Sequence, residues 1–297
     1  MELKIFRSGW GMQEPWSRCV AELREAGCSG LEARLPMALQ ERRALRDRLQ
    51  AEALDYIAIV FSGVDVVPRQ ADRPEVHLQH LARAFDAAAE LQPRFVNLLA
   101  GNDRWPLAEQ VDFLGRAQAL ADDAGVPCSF ETHRASSLYS PWITLDIVRQ
   151  LPRLRYTADI SHWVVVCERL LDDPLDDLTP FLERVHHVQA RVGYAQGPQV
   201  PDPAAPEYAP ELAFHQRIWE TVWSFQHASG YAISTLTPEF GPDGYLHLLP
   251  YTRSPVADLW QLNRWMAQQE RAHFARWSQQ HGIGSSSSTQ SPSTAGV

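Results

Sequence analysis

The sequence is short of cysteine, and the four it has, Cys19, Cys28, Cys128 and Cys167, lie far apart with no CxxC pair among them. A chain this long does not need disulfide staples, so they read as reduced core thiols. Runs of lysine or arginine are missing too, and the formal net charge is −9. That balance argues against a phosphate-backbone partner, so no nucleic acid is expected. No apolar run reaches the length of a membrane span, and the start, MELKIFRSGW, has none long enough for a signal peptide. The expectation is a cytoplasmic protein with no membrane partner. No GxGxxG follows a candidate strand, no Walker loop occurs, and no Gly-rich phosphate cradle opens a helix.

What is present is an alternation. β-rich runs fit residues 3–7, 30–34, 56–61, 95–100, 127–132, 155–159, 185–192 and 232–240, eight in all. Helical periodicity fits residues 15–27, 74–91, 107–125, 142–151, 210–229 and 254–277. Gly27, Gly30 and Gly125 fall where a helix should stop and a strand begin. Repeated strand–helix units imply a parallel sheet with crossover helices. Eight of them predict an α/β protein with a single (β/α)8 TIM barrel over residues 1–283. Residues 284–297, rich in Ser, Thr, Pro and Gly, are expected to form a disordered tail.

In such barrels the carboxyl ends of the strands carry the chemistry. The fifth candidate strand ends in FETH, with Glu131 and His133. The sixth runs into ADISHW, with Asp159, His162 and Trp163. The seventh, HHVQAR, puts His187, Gln189 and Arg191 on one face by alternation, and the eighth ends in TPEFGP, with Glu239. Three acids converging at one mouth repel one another, so one takes a proton or a cation sits between them. A hard divalent ion suits such oxygen-rich groups. On this reading Asp159 pairs with a metal held jointly with Glu131 and Glu239.

The set FETH, TADISH, HHVQARVGYAQGPQ and TPEFGP resembles the xylose isomerase-like TIM barrels, a family of sugar phosphate isomerases/epimerases with ketose 3-epimerase and inosose dehydratase relatives. The resemblance implies Glu131, Asp159 and Glu239 as acidic metal ligands and His162 as a substrate contact. The family's usual fourth ligand is the second histidine of an HxH on the seventh strand, and here Gln189 stands in its place. Gln189 is the expected fourth ligand, with His187 as the fallback. An oxygen-only site favours Mn²⁺, with Mg²⁺ or Co²⁺ as alternatives.

The resemblance further implies a metal-dependent sugar isomerase or epimerase, acting on a ketose or keto-sugar by proton abstraction next to the carbonyl through a metal-stabilised enediolate. Glu131 and Glu239 would be its catalytic acid and base, with Arg191, His133, Trp163 and Trp10 as further substrate contacts. A lyase acting on an inosose-like or 3-keto-sugar begins with the same proton abstraction, and a non-catalytic sugar-binding barrel is the third option. The apurinic endonucleases of the family need histidines that the second and third strands here lack.

Three weaker expectations complete the reading. Gln196 and Gln199, in the proline-rich loop after the seventh strand, would face substrate. Glu32 would face the pocket, or pair with Arg34 or a helix residue. Trp260, Trp265 and Trp277 would pack across a partner or against the barrel, so a homo-oligomer is compatible with the sequence.

Overall fold

The computed structural model describes residues 1–283; the expected tail, residues 284–297, lies outside the described residues. Eight parallel strands close on themselves in sequence order. They are β1 (Glu2–Ser8), β2 (Gly30–Arg34), β3 (Asp55–Phe61), β4 (Val96–Leu99), β5 (Cys128–Glu131), β6 (Tyr156–Ala158), β7 (Val185–Gln189) and β8 (Ile233–Thr237). The helices are α1 (Trp16–Glu25), α2 (Leu39–Ala51), α3 (Pro74–Leu91), α4 (Leu107–Asp123), α5 (Pro141–Gln150), α6 (Ile160–Cys167), α7 (Thr179–Leu182), α8 (Ala209–Ala228) and α9 (Leu259–Gln280). The predicted barrel is therefore the fold. No helix among the described residues is long and apolar enough to cross a membrane.

The strands are buried on both faces, which is why β3 reads DYIAIVF with no polar alternation. Gly30 opens β2 because a side chain there would collide with β3: an added Cβ would lie 2.1 Å from the Asp55 carbonyl oxygen. Outside the barrel, one large cluster joins the strands' outer faces to the helices, and a separate cluster of Phe6, Ile57 and Phe95 stands apart from it. The ring of Phe95 meets that of His187 at 5.3 Å, and His187 in turn reaches Glu32 of β2. Such cross-barrel contacts run through the interior, so the three apolar side chains form its floor.

Above that floor the interior turns polar. Thr157 Oγ1 donates to Ser129 Oγ at 2.9 Å, His187 Nδ1 pairs with Thr235 Oγ1 at 2.9 Å, and Asn97 Nδ2 donates to Glu32 Oε1 at 3.0 Å. Branched aliphatic side chains usually fill this layer of a barrel. Here hydrogen-bonded polar groups fill it, directly beneath the carboxyl ends of the strands.

Three tryptophans of α9 pack inward. Trp277 is buried against Trp223 of α8 at 5.6 Å, Trp265 packs against the main core, and Arg7 lies over the Trp260 ring at 4.7 Å. Apolar area removed from water by the barrel itself accounts for this helix face.

Candidate active site

β5 ends on Glu131, β6 is followed at once by Asp159, and Glu239 lies two residues past β8. Their carboxylates offer one oxygen each within 4.8 Å of one another, and all three residues are buried. Local chemistry holds each in place. Asp159 caps α6 by accepting from Ser161 N at 3.1 Å and from Ser161 Oγ. Glu131 Oε2 accepts from Asn97 Nδ2 at 2.6 Å. The main chain beside Glu239 is tied down on both sides: Asn263 brackets Phe240 by accepting from its N at 2.8 Å and donating to its O at 2.9 Å.

Arg191 is the cation among these acids. It is 1% exposed, donates to Asp159 Oδ2, and lies 3.5 Å from Glu239 Oε2. Its Nε donates to Ser161 Oγ at 3.2 Å, and its Nη2 donates to His162 Nε2 at 2.9 Å. Tyr245 covers the guanidinium at 4.7 Å.

One buried guanidinium does not balance three carboxylates, and the proton affinities record it. Burial, then the charges of Glu239, Asp159 and Glu32, push Glu131 well above the usual carboxylate range. Burial pushes Glu239 to about 8, although Arg191 pulls the other way. Asp159 is raised by burial in spite of Arg191 and Ser161. Burial, then Arg191, holds His133 down at about 3, and burial, then His133, holds His162 well below its ordinary value. Both imidazoles are neutral at pH 7.

Glu131 and Glu239 open on a cavity of ≈ 440 Å³. Glu131, His133, Arg191 and Glu239, together with Arg34, Asp65 and Asp243, supply its polar lining, and Trp10, Ile59, Phe61, Leu99 and Tyr245 supply apolar lining. Trp10 is wedged in position. Its Nε1 donates to Asp243 Oδ2 at 2.8 Å, its ring meets Tyr245 edge-on at 5.0 Å, and a Cβ added to Gly241 would strike the indole at 2.0 Å. The glycine of TPEFGP therefore makes room for Trp10.

The structure redistributes several expected roles. Trp163 is wholly buried, donates to Leu138 O at 3.0 Å and packs on Phe181 at 4.7 Å, so it is a core residue and not a cavity wall. His187 is no fallback ligand: both ring nitrogens are taken, by Thr235 and by Glu32. Glu32 does not pair with Arg34, whose guanidinium lies over Phe61 and reaches Val64 O; Glu32 points into the barrel.

His162 sits on α6 and not on a strand, because the cap at Asp159 starts a helix there; His133, ring against ring at 4.0 Å, and Arg191 stand between it and the cavity. Gln199 is 1% exposed and exchanges hydrogen bonds with the Gly241 backbone, accepting from its N at 2.8 Å, so it latches two loops together; Gln196 is exposed. Asp159 and Gln189 lie beneath the cavity floor, fully buried.

Asn97, Tyr245 and Asp243 went unread in the sequence. Asn97 had a signal, as the single amide in the apolar run FVNLLA. Tyr245 had none, since its loop has no periodicity.

A closed parallel barrel with charged groups gathered at the carboxyl ends of its strands is a TIM barrel with its site in the usual place. Residues 20–198 match the xylose isomerase-like TIM barrel family, so the chain belongs to that family. No curated protein matches the sequence. Among solved structures, an L-ribulose 3-epimerase is similar with a TM-score of 0.61 at 15% identity, over 98% of this chain and 100% of that one. A xylose isomerase-like TIM barrel protein from Mycobacterium smegmatis in complex with magnesium gives 0.61 at 12% identity, over 91% and 97%. Endonuclease IV from Thermus thermophilus gives 0.58 at 16% identity, over 93% and 100%. Likeness at these identities is likeness of fold, and it spans more than one reaction.

Proposed function

We propose that the protein is a divalent-metal-dependent sugar isomerase or epimerase that moves a proton beside the carbonyl of a ketose or keto-sugar. The observation that carries this reading is the convergence of buried Glu131, Asp159 and Glu239 within 4.8 Å around the single guanidinium of Arg191. Such an excess of buried acid calls for protons or a further cation.

The donor set fits a metal. Besides the three carboxylates, Gln189 Oε1 is buried with no hydrogen-bond partner. All-oxygen donors suit a hard ion such as Mn²⁺ or Mg²⁺ better than Zn²⁺. Glu131, Asp159, Gln189 and Glu239 would hold it, and it would polarise the substrate's carbonyl and acidify the adjacent C–H.

The remaining work falls to the chain. Glu131 ends β5 and Glu239 follows β8, with β6 and β7 between them, so they approach a substrate in the mouth from two sides. One takes the proton from carbon and the other returns it on the opposite face. Asn97 donates to Glu131 Oε2 and so fixes the orientation of this carboxylate at the cavity wall. Arg191 donates to substrate oxygens, while neutral His133, whose Nδ1–H is given to the Arg134 carbonyl, accepts from a substrate hydroxyl through Nε2. The edge-packed Trp10 and Tyr245 cover the sugar's C–H face and keep water out.

The test measures the metal content of protein purified without chelator, then follows exchange of substrate α-protons with solvent deuterium across a panel of ketoses and keto-sugars. One divalent ion per chain is expected, with exchange lowered about 10²–10⁴-fold in Glu131→Gln and Glu239→Gln. A product lighter by one water would make the enzyme a lyase, and sugar binding without exchange a binding barrel. Protein that stays metal-free after soaking in Mn²⁺ sinks the reading.

A further inference from the structure

Glu32 is wholly buried, and among the described residues no lysine or arginine lies within 4.0 Å of it. It accepts three hydrogen bonds instead. Asn97 Nδ2 and Gln189 Nε2 each donate to Oε1 at 3.0 Å, and His187 Nε2 meets Oε2 at 3.2 Å. His187 is itself held from behind by Thr235, so the Glu32 carboxylate has no freedom to turn.

This arrangement decides the orientation of one amide. Gln189 has an NH₂ end that only donates and a carbonyl end that only accepts. With its NH₂ given to Glu32, its Oε1 is left buried and unpaired. The reverse orientation would set oxygen against oxygen at Glu32. Strand register places that free oxygen well. Val188 pairs with Ala158 and Gln189 with Thr237, so Gln189 stands level with Asp159 and one layer below Glu239.

We infer that Glu32 is a positioning residue that locks the Gln189 amide with its carbonyl oxygen turned to the acidic triad, and so makes the site prefer an oxygen-seeking ion to zinc. The inference rests on the metal-dependent reading above. The carbonyl oxygen does for a hard ion what an imidazole does for zinc, but only while its NH₂ end is held away. Asn97 links Glu32 to Glu131 as well, so the test separates the two routes.

The experiment is calorimetric titration of chelator-stripped full-length protein with Mn²⁺ and, separately, Zn²⁺, with thermal melts to confirm folding. In Glu32→Gln the new side chain both donates and accepts, which frees Gln189 to turn. Mn²⁺ affinity is expected to fall about 10–100-fold, as for other groups that orient metal ligands. In a Gln189→Leu background the same change should cost nothing more. Wild-type Mn²⁺ affinity in Glu32→Gln, or an equal loss in the Gln189→Leu background, overturns the inference while leaving the metal reading intact.

A wild type that binds no Mn²⁺ overturns both. Gln189→His, which leaves Glu32 in place, gives a measure independent of how Glu32→Gln folds. Its preference should move towards Zn²⁺ by about tenfold or more, and an unchanged preference contradicts the inference.

Discussion

Thr132 grips the backbone of Asp159 from both sides: its Oγ1 accepts from Asp159 N at 2.8 Å and donates to Asp159 O at 2.9 Å. A single buried hydroxyl thus joins the end of β5 to the residue that follows β6 and sets where the Asp159 carboxylate starts. Thr132→Val keeps the shape and leaves the buried Asp159 N–H without its partner, since the Asp159 carbonyl also takes the first hydrogen bond of α6. Such a change costs about 1–3 kcal/mol in urea unfolding, and Thr132→Ser should recover most of it. Equal stability of the valine variant would refute this role.

Arg191 balances the buried acids, so its removal should be felt with no substrate present. Arg191→Met is expected to lose about 3–5 kcal/mol in metal-free unfolding, because Asp159 keeps its burial and loses its partner. Arg191→Lys should not restore substrate turnover. An ammonium does not reproduce the planar donors shared among Asp159, Ser161 and His162.

Two tryptophans flank the same site with opposite roles. Trp163→Ala should cost about 3–5 kcal/mol of stability as a core cavity. Trp10→Ala should change stability by about 1 kcal/mol or less yet raise the KM of an active sugar, since Trp10 lines the cavity. Paired urea melts and kinetics check the contrast, and a reversal of the two phenotypes would reject it.

Far from the mouth, His273 bridges α8 and α9, with Nδ1 at 2.8 Å from Glu270 and Nε2 at 2.8 Å from Glu220. Burial opposes its charge, but the two glutamates outweigh it and raise its pKa. The folded state therefore binds this proton more tightly than the unfolded chain. The stabilisation is full below about 6.5, the unfolded value, and is lost as pH rises through the raised folded value. The Tm gap between wild type and His273→Gln should be wider at pH 5.5 than at pH 9. Differential scanning calorimetry at the two pH values decides it.

Much of the architecture is legible because it rests on local rules. Helix periodicity places α3 at its observed bounds, 74–91. Strand-end chemistry alone picks out Glu131, Asp159 and Glu239. By contrast α2 is unreadable: Arg42 and Leu49 are its buried residues, so almost no apolar stripe marks it. The sequence marks Asp159 as the end of a strand, but its side chain also caps a helix, which moves His162 behind His133 and Arg191.

By itself, the sequence determined the barrel and the three acids, because alternation of strand and helix and the cost of buried carboxylates act over a few residues at a time. Only the tertiary structure decided what those acids face. Arg191 among the carboxylates, Asn97 on Glu131, and Glu32 on Gln189 are contacts between strands separated by tens of residues or more. Closure of the sheet brings them together, and no local pattern encodes which polar groups meet across a closed interior.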